Sequence, residues 1–192
     1  MKNRIFLTQE IGSLQRPVWR QKLGAPPNPE WIKSALEWGE RLGVEERQEL
    51  KGLLEKTATR TEEERRRIVE ISSIYAIRMF ETAGLDRVFN GEQPRTEMYD
   101  FLARNTAGIE TAGVLNSFDA NYFRKGIITA AVEIMPDGVE FFSEELKFVS
   151  AHSKREAKPC LTGPYTMMDW SYVEHHRAVR EGRGEAVLEA LK

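Results

Sequence analysis

The chain has 192 residues with 28 basic and 30 acidic side chains, a formal charge of −2. Hydrophobic residues make up 41% and charged residues 30%, enough apolar material for a core and too little charge imbalance for disorder or for sequence-independent nucleic-acid binding. The single cysteine, Cys160, allows no internal disulfide, and no apolar run approaches the roughly 20 residues of a membrane span, so a cytoplasmic protein with no membrane partner is expected.

In chain order, Ile5-Phe6-Leu7-Thr8 reads as a short buried strand, with Gln9-Glu10-Ile11-Gly12-Ser13 as the loop leaving it. Asn28-Pro29 supplies a cap and a first-turn proline for a helix over residues 30–42, stopped by Gly43, and residues 44–56 form another. Thr61-Glu62-Glu63-Glu64 is a capping box. The helix it opens carries Ile68, Ile71, Tyr75 and Met79 on one face, presents its charge run to solvent, and ends at Ala83-Gly84. Residues 85–90 read as a second strand, and Gly91-Glu92-Gln93-Pro94 as its exit loop. Thr96 then caps a helix through Tyr99, Phe101 and Leu102. Residues 126–134 form a β-rich run that Pro136-Asp137-Gly138 turns towards residues 139–142, and residues 144–150 are helical. Residues 158–162 read as a strand closed by Gly163-Pro164, and the tail over 172–192 is polar and helix-prone.

Strands alternating with helices argue for a single α/β domain with parallel strands, its polar motifs at the strand ends where a (β/α)₈ barrel builds its site. A full barrel takes about 250 residues, and here residues 25–84 form a helical insertion after the first strand. The expected fold is therefore a partial TIM-barrel-like chain, about half a barrel, or a smaller open sheet; half a barrel has edges that invite association.

Three strand-exit motifs belong together: Ile11-Gly12-Ser13; Gly84-Leu85-Asp86 followed by Gly91-Glu92-Gln93-Pro94-Arg95-Thr96-Glu97-Met98; and Leu161-Thr162-Gly163-Pro164 with Asp169-Trp170-Ser171-Tyr172. In order and spacing they resemble the catalytic barrel of the cobalamin-independent methionine synthase family. That resemblance implies transfer of a methyl group to the thiol of homocysteine, giving methionine. It also implies that Ile11 and Ser13 hold the amino-acid end of homocysteine and that Glu92 accepts from its ammonium. Trp170 would lie against the pterin of a methyltetrahydrofolate donor, with Asn121 and Tyr122 on the donor side and Arg95 supporting the site from behind.

The zinc that activates the thiol is implied too, but its ligands lie in the second half of the family's barrel. Cys160 and the three histidines, His152, His175 and His176, do not reproduce that ligand pattern. Ser117-Phe118-Asp119-Ala120-Asn121-Tyr122 stands where folate-using members carry an Arg-Cys pair, which leaves the donor open between folate and a methylated corrinoid. Taken singly, Ser13 reads as a turn residue, Glu92 as a loop acid, Trp170 as a core aromatic, Cys160 as an inert buried residue, His175-His176 as a surface pair and Met167-Met168 as packing. Three alternatives accompany the active enzyme. The chain could be a non-catalytic half that binds a second polypeptide, a truncated fragment that self-associates into a homo-oligomer, or a related zinc-dependent transferase acting on another thiol such as coenzyme M.

Overall fold

The structure, a computed structural model, describes residues 6–56, 59–95, 97–117, 122–134 and 136–173. For residues 112–117, 122–125, 131, 134, 136–139, 141 and 172–173 it describes the backbone alone. The chain divides into two compact units, one of residues 1–94 and 145–160 and the other of residues 95–144 and 161–192.

The first unit is mainly helical: α1 (Val18–Gln21), α2 (Pro29–Arg41), α3 (Arg47–Glu55) and α4 (Glu62–Thr82) precede the short strand β1 (Arg87–Val88). The helix boundaries follow local chemistry. Asn28 Oδ1 accepts from the amides of Glu30 (2.9 Å) and Trp31 (3.2 Å), and Pro29 occupies the first turn, where its missing N–H costs nothing. Thr61 and Glu64 form the expected capping box, each side chain bonded to the other's amide. The middle of α4 is buried on every side from residue 71 to 77. Two serines stand in that stretch, and Ser72 and Ser73 settle their hydroxyls on the carbonyl of Val69 (2.7 and 3.1 Å). Around α4 pack Trp19, Ala35, Leu42, Val44, Leu50 and Leu54. A second cluster joins Ile77 and Phe80 to Val88, Phe89 and Val149.

Strand β1 pairs in parallel with β4 (Glu156–Ala157), Arg87 opposite Glu156 and Val88 opposite Ala157. On the other flank of β1, the carbonyl of Thr8 accepts from the amides of Asp86 (3.0 Å) and Arg87 (3.1 Å). The N-terminal segment thus lies beside β1, but among the described residues of the buried strand expected over 5–8 none is in strand conformation, and Phe6 is 84% exposed. The strand expected over 158–162 is also displaced, since the ladder ends at Ala157 and residues 158–163 belong to no element.

The second unit contains α5 (Met98–Arg104), β2 (Thr106–Ser117), β3 (Tyr122–Ile134), the start of α6 (Pro136–His152), α7 (Pro164–Asp169) and β5 (Ser171–Val173). Strands β2 and β3 form a long antiparallel hairpin, and β5 adds to β3 in parallel. The hairpin departs from the all-parallel expectation. Its first strand is rich in Gly, Ala, Asn and Ser, so local propensity conceals it. Gly108 adopts φ +81°, between the paired positions Ala107 and Ile109 where the register shifts.

Three further expectations are corrected. The turn at 136–138 is the first turn of α6, because a proline fits a helix start as well as a turn. The N-cap of α5 is Glu97, whose carboxylate accepts from the amide of Asp100 at 3.1 Å; Thr96 lies outside the described residues. The third motif, expected to leave a strand at Gly163-Pro164, is largely helix α7, with Gly163 as N-cap and Trp170 as C-cap. The unit's core is Tyr99, Ala103 and Met167, against which Trp170 packs. Tyr99 shares a hydrogen bond with Ser171 Oγ (2.7 Å), and its hydroxyl sits where a side chain on Gly126 would have to go. Tyr172 and Val173, at the start of the tail expected to be helical, instead belong to β5, and the rest of that tail lies outside the described residues. Among the described residues no helix is long and apolar enough to cross a membrane.

Candidate functional site

The N-terminal loop of the first unit, residues 8–16, and a second segment, β1 with its exit loop over residues 86–93, are tied to each other at three levels. At the base, the Asp86 carboxylate accepts from the amide (2.9 Å) and the hydroxyl (2.8 Å) of Thr8, and the Asp86 amide donates back to Thr8. In the middle, Lys158 lays its ammonium over the Phe89 ring (4.9 Å) and donates to the carbonyl of Glu10. At the top, the amide of Leu14 donates to the carbonyl of Gly91 (3.1 Å), and Gln93 Nε2 donates to the carbonyls of Leu14 (3.1 Å) and Gly91 (3.4 Å).

The second loop is a tight turn at Asn90-Gly91, and its backbone is unusual. Gly91 has φ +65° and Glu92 φ +55°; among the described residues Glu92 is the only non-glycine with positive φ. A glutamate in the left-handed region carries a conformational cost and persists where the surroundings impose it. Here they do so with named bonds. Asn90 Oδ1 accepts from the Glu92 amide (3.0 Å), the Asn90 carbonyl accepts from the Gln93 amide (3.3 Å), and Ala76 crowds the Gly91 Cα so closely that an added Cβ would lie 2.8 Å from its methyl. The guanidinium groups of Arg16 and Arg20 reach the carbonyls of Glu92 (3.5 Å) and Gln93 (2.7 Å). Burial, and secondarily the neighbouring Arg16 charge, hold the Arg20 pKa below the usual guanidinium range.

The sequence-derived site residues fall as follows. Ser13 and Glu92 each adjoin a residue of the Leu14–Gly91 bond, so this pair of motifs is brought together. Glu92 is 8% exposed, whereas Ile11 stands 83% exposed with its amide on the Glu10 carboxylate (3.0 Å), and Ser13 is exposed. Trp170 lies in the second unit, where its ring tilts against Tyr99 (centroids 6.3 Å apart) and its carbonyl accepts from Gly126 (3.3 Å). Tyr122 opens β3 and is described by its backbone only; Asn121 lies outside the described residues. Arg95 sets its guanidinium over the rings of Phe101 (5.0 Å) and Phe142 (5.4 Å). Asn90, Gln93, Arg16 and Arg20 were not singled out by the sequence. The Asn-Gly dipeptide was the available signal for the turn, but nothing local announces that Gln93 folds back onto Leu14.

A cavity of about 450 Å³ adjoins the two loops, with Leu14, Arg16, Trp31, Trp38, Met79 and Gln93 in its wall; none of Ile11, Ser13 or Glu92 lines it. Among the described residues no three His, Cys, Asp or Glu side chains gather as a metal site. Cys160 packs at the edge of an apolar cluster, and His152 Nδ1 lies 2.8 Å from the Phe148 carbonyl. These residues do not fit the tetrahedral zinc centre that the resemblance implies.

The comparisons with known proteins agree with the motifs. The profile of the cobalamin-independent synthase catalytic domain matches residues 43–190. A methionine synthase of Thermoplasma volcanium is 37% identical over 172 residues, 89% of this chain and 40% of its own length. One from Thermoplasma acidophilum is 32% identical over the same shares. Among solved structures, a B12-independent methionine synthase from Shewanella sp. W3-18-1, in complex with selenomethionine, superposes with a TM-score of 0.53 at 20% identity, covering 86% of this chain and 40% of that one. The chain spans about two fifths of the length of these curated relatives. It belongs to the cobalamin-independent methionine synthase family.

Proposed function

We propose that this chain forms the amino-acid-binding part of a methyltransferase that converts homocysteine to methionine, built as the first portion of one barrel domain with a helical insertion. In this reading the Glu92 carboxylate accepts from the substrate ammonium, a charge-assisted bond made in a largely dry setting. Ser13 donates its hydroxyl to the substrate carboxylate, and Ile11 and Ser13 both hold the amino-acid end through backbone groups. Held at its zwitterionic end, homocysteine presents its thiol to the methyl donor. Trp170 offers an aromatic face on the donor side, with Asn121 and Tyr122, and the donor is a methylated folate or a methylated corrinoid. The work is cytoplasmic.

The observation that carries this reading is the Leu14–Gly91 hydrogen bond, which ties the loop of Ser13 to the loop of a buried, left-handed Glu92. An acid in strained backbone between two bonded loops is a costly way to build a mere connection. A second reading, in which another polypeptide completes the site and supplies the zinc ligands, is favoured by the exposed apolar side chains of Phe6, Leu7 and Ile11 in the N-terminal segment.

Calorimetric titration of L-homocysteine into the chain, with and without zinc, tests the proposal. Binding is expected, and Glu92→Gln should weaken it by about 1–3 kcal/mol, the size of a lost charged hydrogen bond. The absence of binding in both conditions overturns the assignment of an amino-acid site, and an unchanged affinity in the variant removes Glu92 from it.

A further inference from the structure

We propose that Gln93 is the positioning residue that sets the distance and orientation between the two amino-acid-binding loops, a role that rests on the homocysteine reading above. Its side chain is 1% exposed, and its Nε2 reaches both loops at once, donating to Leu14 in the first and to Gly91 in the second. Its backbone is held as firmly: the amide on Asn90, the carbonyl on Arg20. The residues clamped by that side chain are the direct chain neighbours of Ser13 and Glu92.

The other end of the amide distinguishes this from packing. Gln93 Oε1 is buried with no hydrogen-bond partner among the described residues. An apolar side chain of equal size would fill the same space without burying an orphaned acceptor. Glutamine's distinctive contribution is therefore its pair of N–H donors, and both point at loop carbonyls. Gln93 touches no substrate in this arrangement; it acts through Glu92, whose left-handed backbone begins one residue before it.

Gln93→Met keeps the side-chain length and removes both donors, so it separates strap from filler. Its affinity for L-homocysteine should fall at least about tenfold, and its preference for homocysteine over 4-mercaptobutyrate, which lacks the ammonium, should fall by a similar factor. A purely structural role would not move that preference while the circular dichroism spectrum stays that of the wild type. In the wild-type chain, homocysteine should slow hydrogen exchange of the amides at 11–14 and at 90–93 together, a readout that survives even if the variant does not fold. Affinity and preference within about twofold of wild type in a folded Gln93→Met, or protection confined to one of the two loops, overturns the inference while the homocysteine reading stands. A wild-type chain that takes up no homocysteine overturns that reading, and the role of Gln93 with it.

Discussion

Leu14 donates its backbone amide to the carbonyl of Gly91 at 3.1 Å, and the next residue, Glu92, takes a left-handed backbone with φ +55°. The bond and the strain belong to one turn, and they separate folding from function at Glu92. Glycine adopts that region freely, so Glu92→Gly relieves about 1 kcal/mol of backbone cost. The urea midpoint of the variant should not fall, while homocysteine affinity should fall at least as far as in Glu92→Gln. A variant destabilised by more than about 1 kcal/mol would make the Glu92 side chain a structural element instead.

Gly39 and Tyr75 meet where α2 crosses α4. The Tyr75 hydroxyl donates to the Ala35 carbonyl (2.8 Å), and a Cβ on Gly39 would lie 2.3 Å from that hydroxyl and 2.8 Å from the Arg47 Cβ. Gly39→Ala should therefore cost about 1–3 kcal/mol by overpacking, with part of the loss recovered in a Tyr75→Phe background. Denaturant titration of the two single variants and the double variant measures the coupling, and strict additivity would contradict the contact.

The same tyrosine gives a pH signature. Burial pushes the Tyr75 phenol up to about 12, with smaller opposing effects from Arg47 and Glu46. Between about pH 10 and about pH 12 the unfolded chain releases this proton and the folded chain keeps it, so rising pH favours unfolding there. The contribution is fully present below pH 10 and is lost as pH climbs towards 12. Burial also raises Tyr99, so Tyr75→Phe should flatten the alkaline decline only in part. An identical decline in the variant would rule out Tyr75 as its source.

Arg60 is a buried cation held by backbone. Its guanidinium donates to the carbonyls of Leu53 (2.8 Å), Leu23 (2.9 Å), Ala25 (2.8 Å) and Leu54 (2.9 Å), two of them in the last turn of α3. There the helix dipole and the orphaned carbonyls both favour a positive charge. Arg60→Met should lower stability by about 3 kcal/mol, since it strips four acceptors of their donor. A shift in unfolding free energy under about 1 kcal/mol would show that those carbonyls find other partners.

The helices of the first unit were legible because their signals are local. Asn28-Pro29 and the Thr61–Glu64 box bond within one turn, so a few consecutive letters specify them. The apolar spacing of Ile68, Ile71 and Tyr75 identified one face of α4, but not its burial on all sides; Ser72 and Ser73 look like surface residues until their bonds to Val69 are seen. The β-rich run over 126–134 is the body of β3, but its partner β2 and their pairing were missed for the opposite reason: their stability is cross-strand, and Thr106-Ala107-Gly108 carries little strand propensity of its own.

At the candidate site, order along the chain was sufficient to identify the family, because motif order is a property of sequence, and it nominated Ile11, Ser13 and Glu92 as candidates. The bonds that bring two of those motifs together, Asp86 on Thr8, Gln93 on Leu14 and the amide of Leu14 on Gly91, join residues far apart in the chain, and they exist only once α4 has packed behind both loops. The positive φ of Glu92 is likewise imposed from outside, by Asn90, Gln93 and the methyl of Ala76 against Gly91. Short-range hydrogen bonding lets a sequence declare its helices and turns; long-range packing decides which turns face each other and what backbone they are forced to adopt.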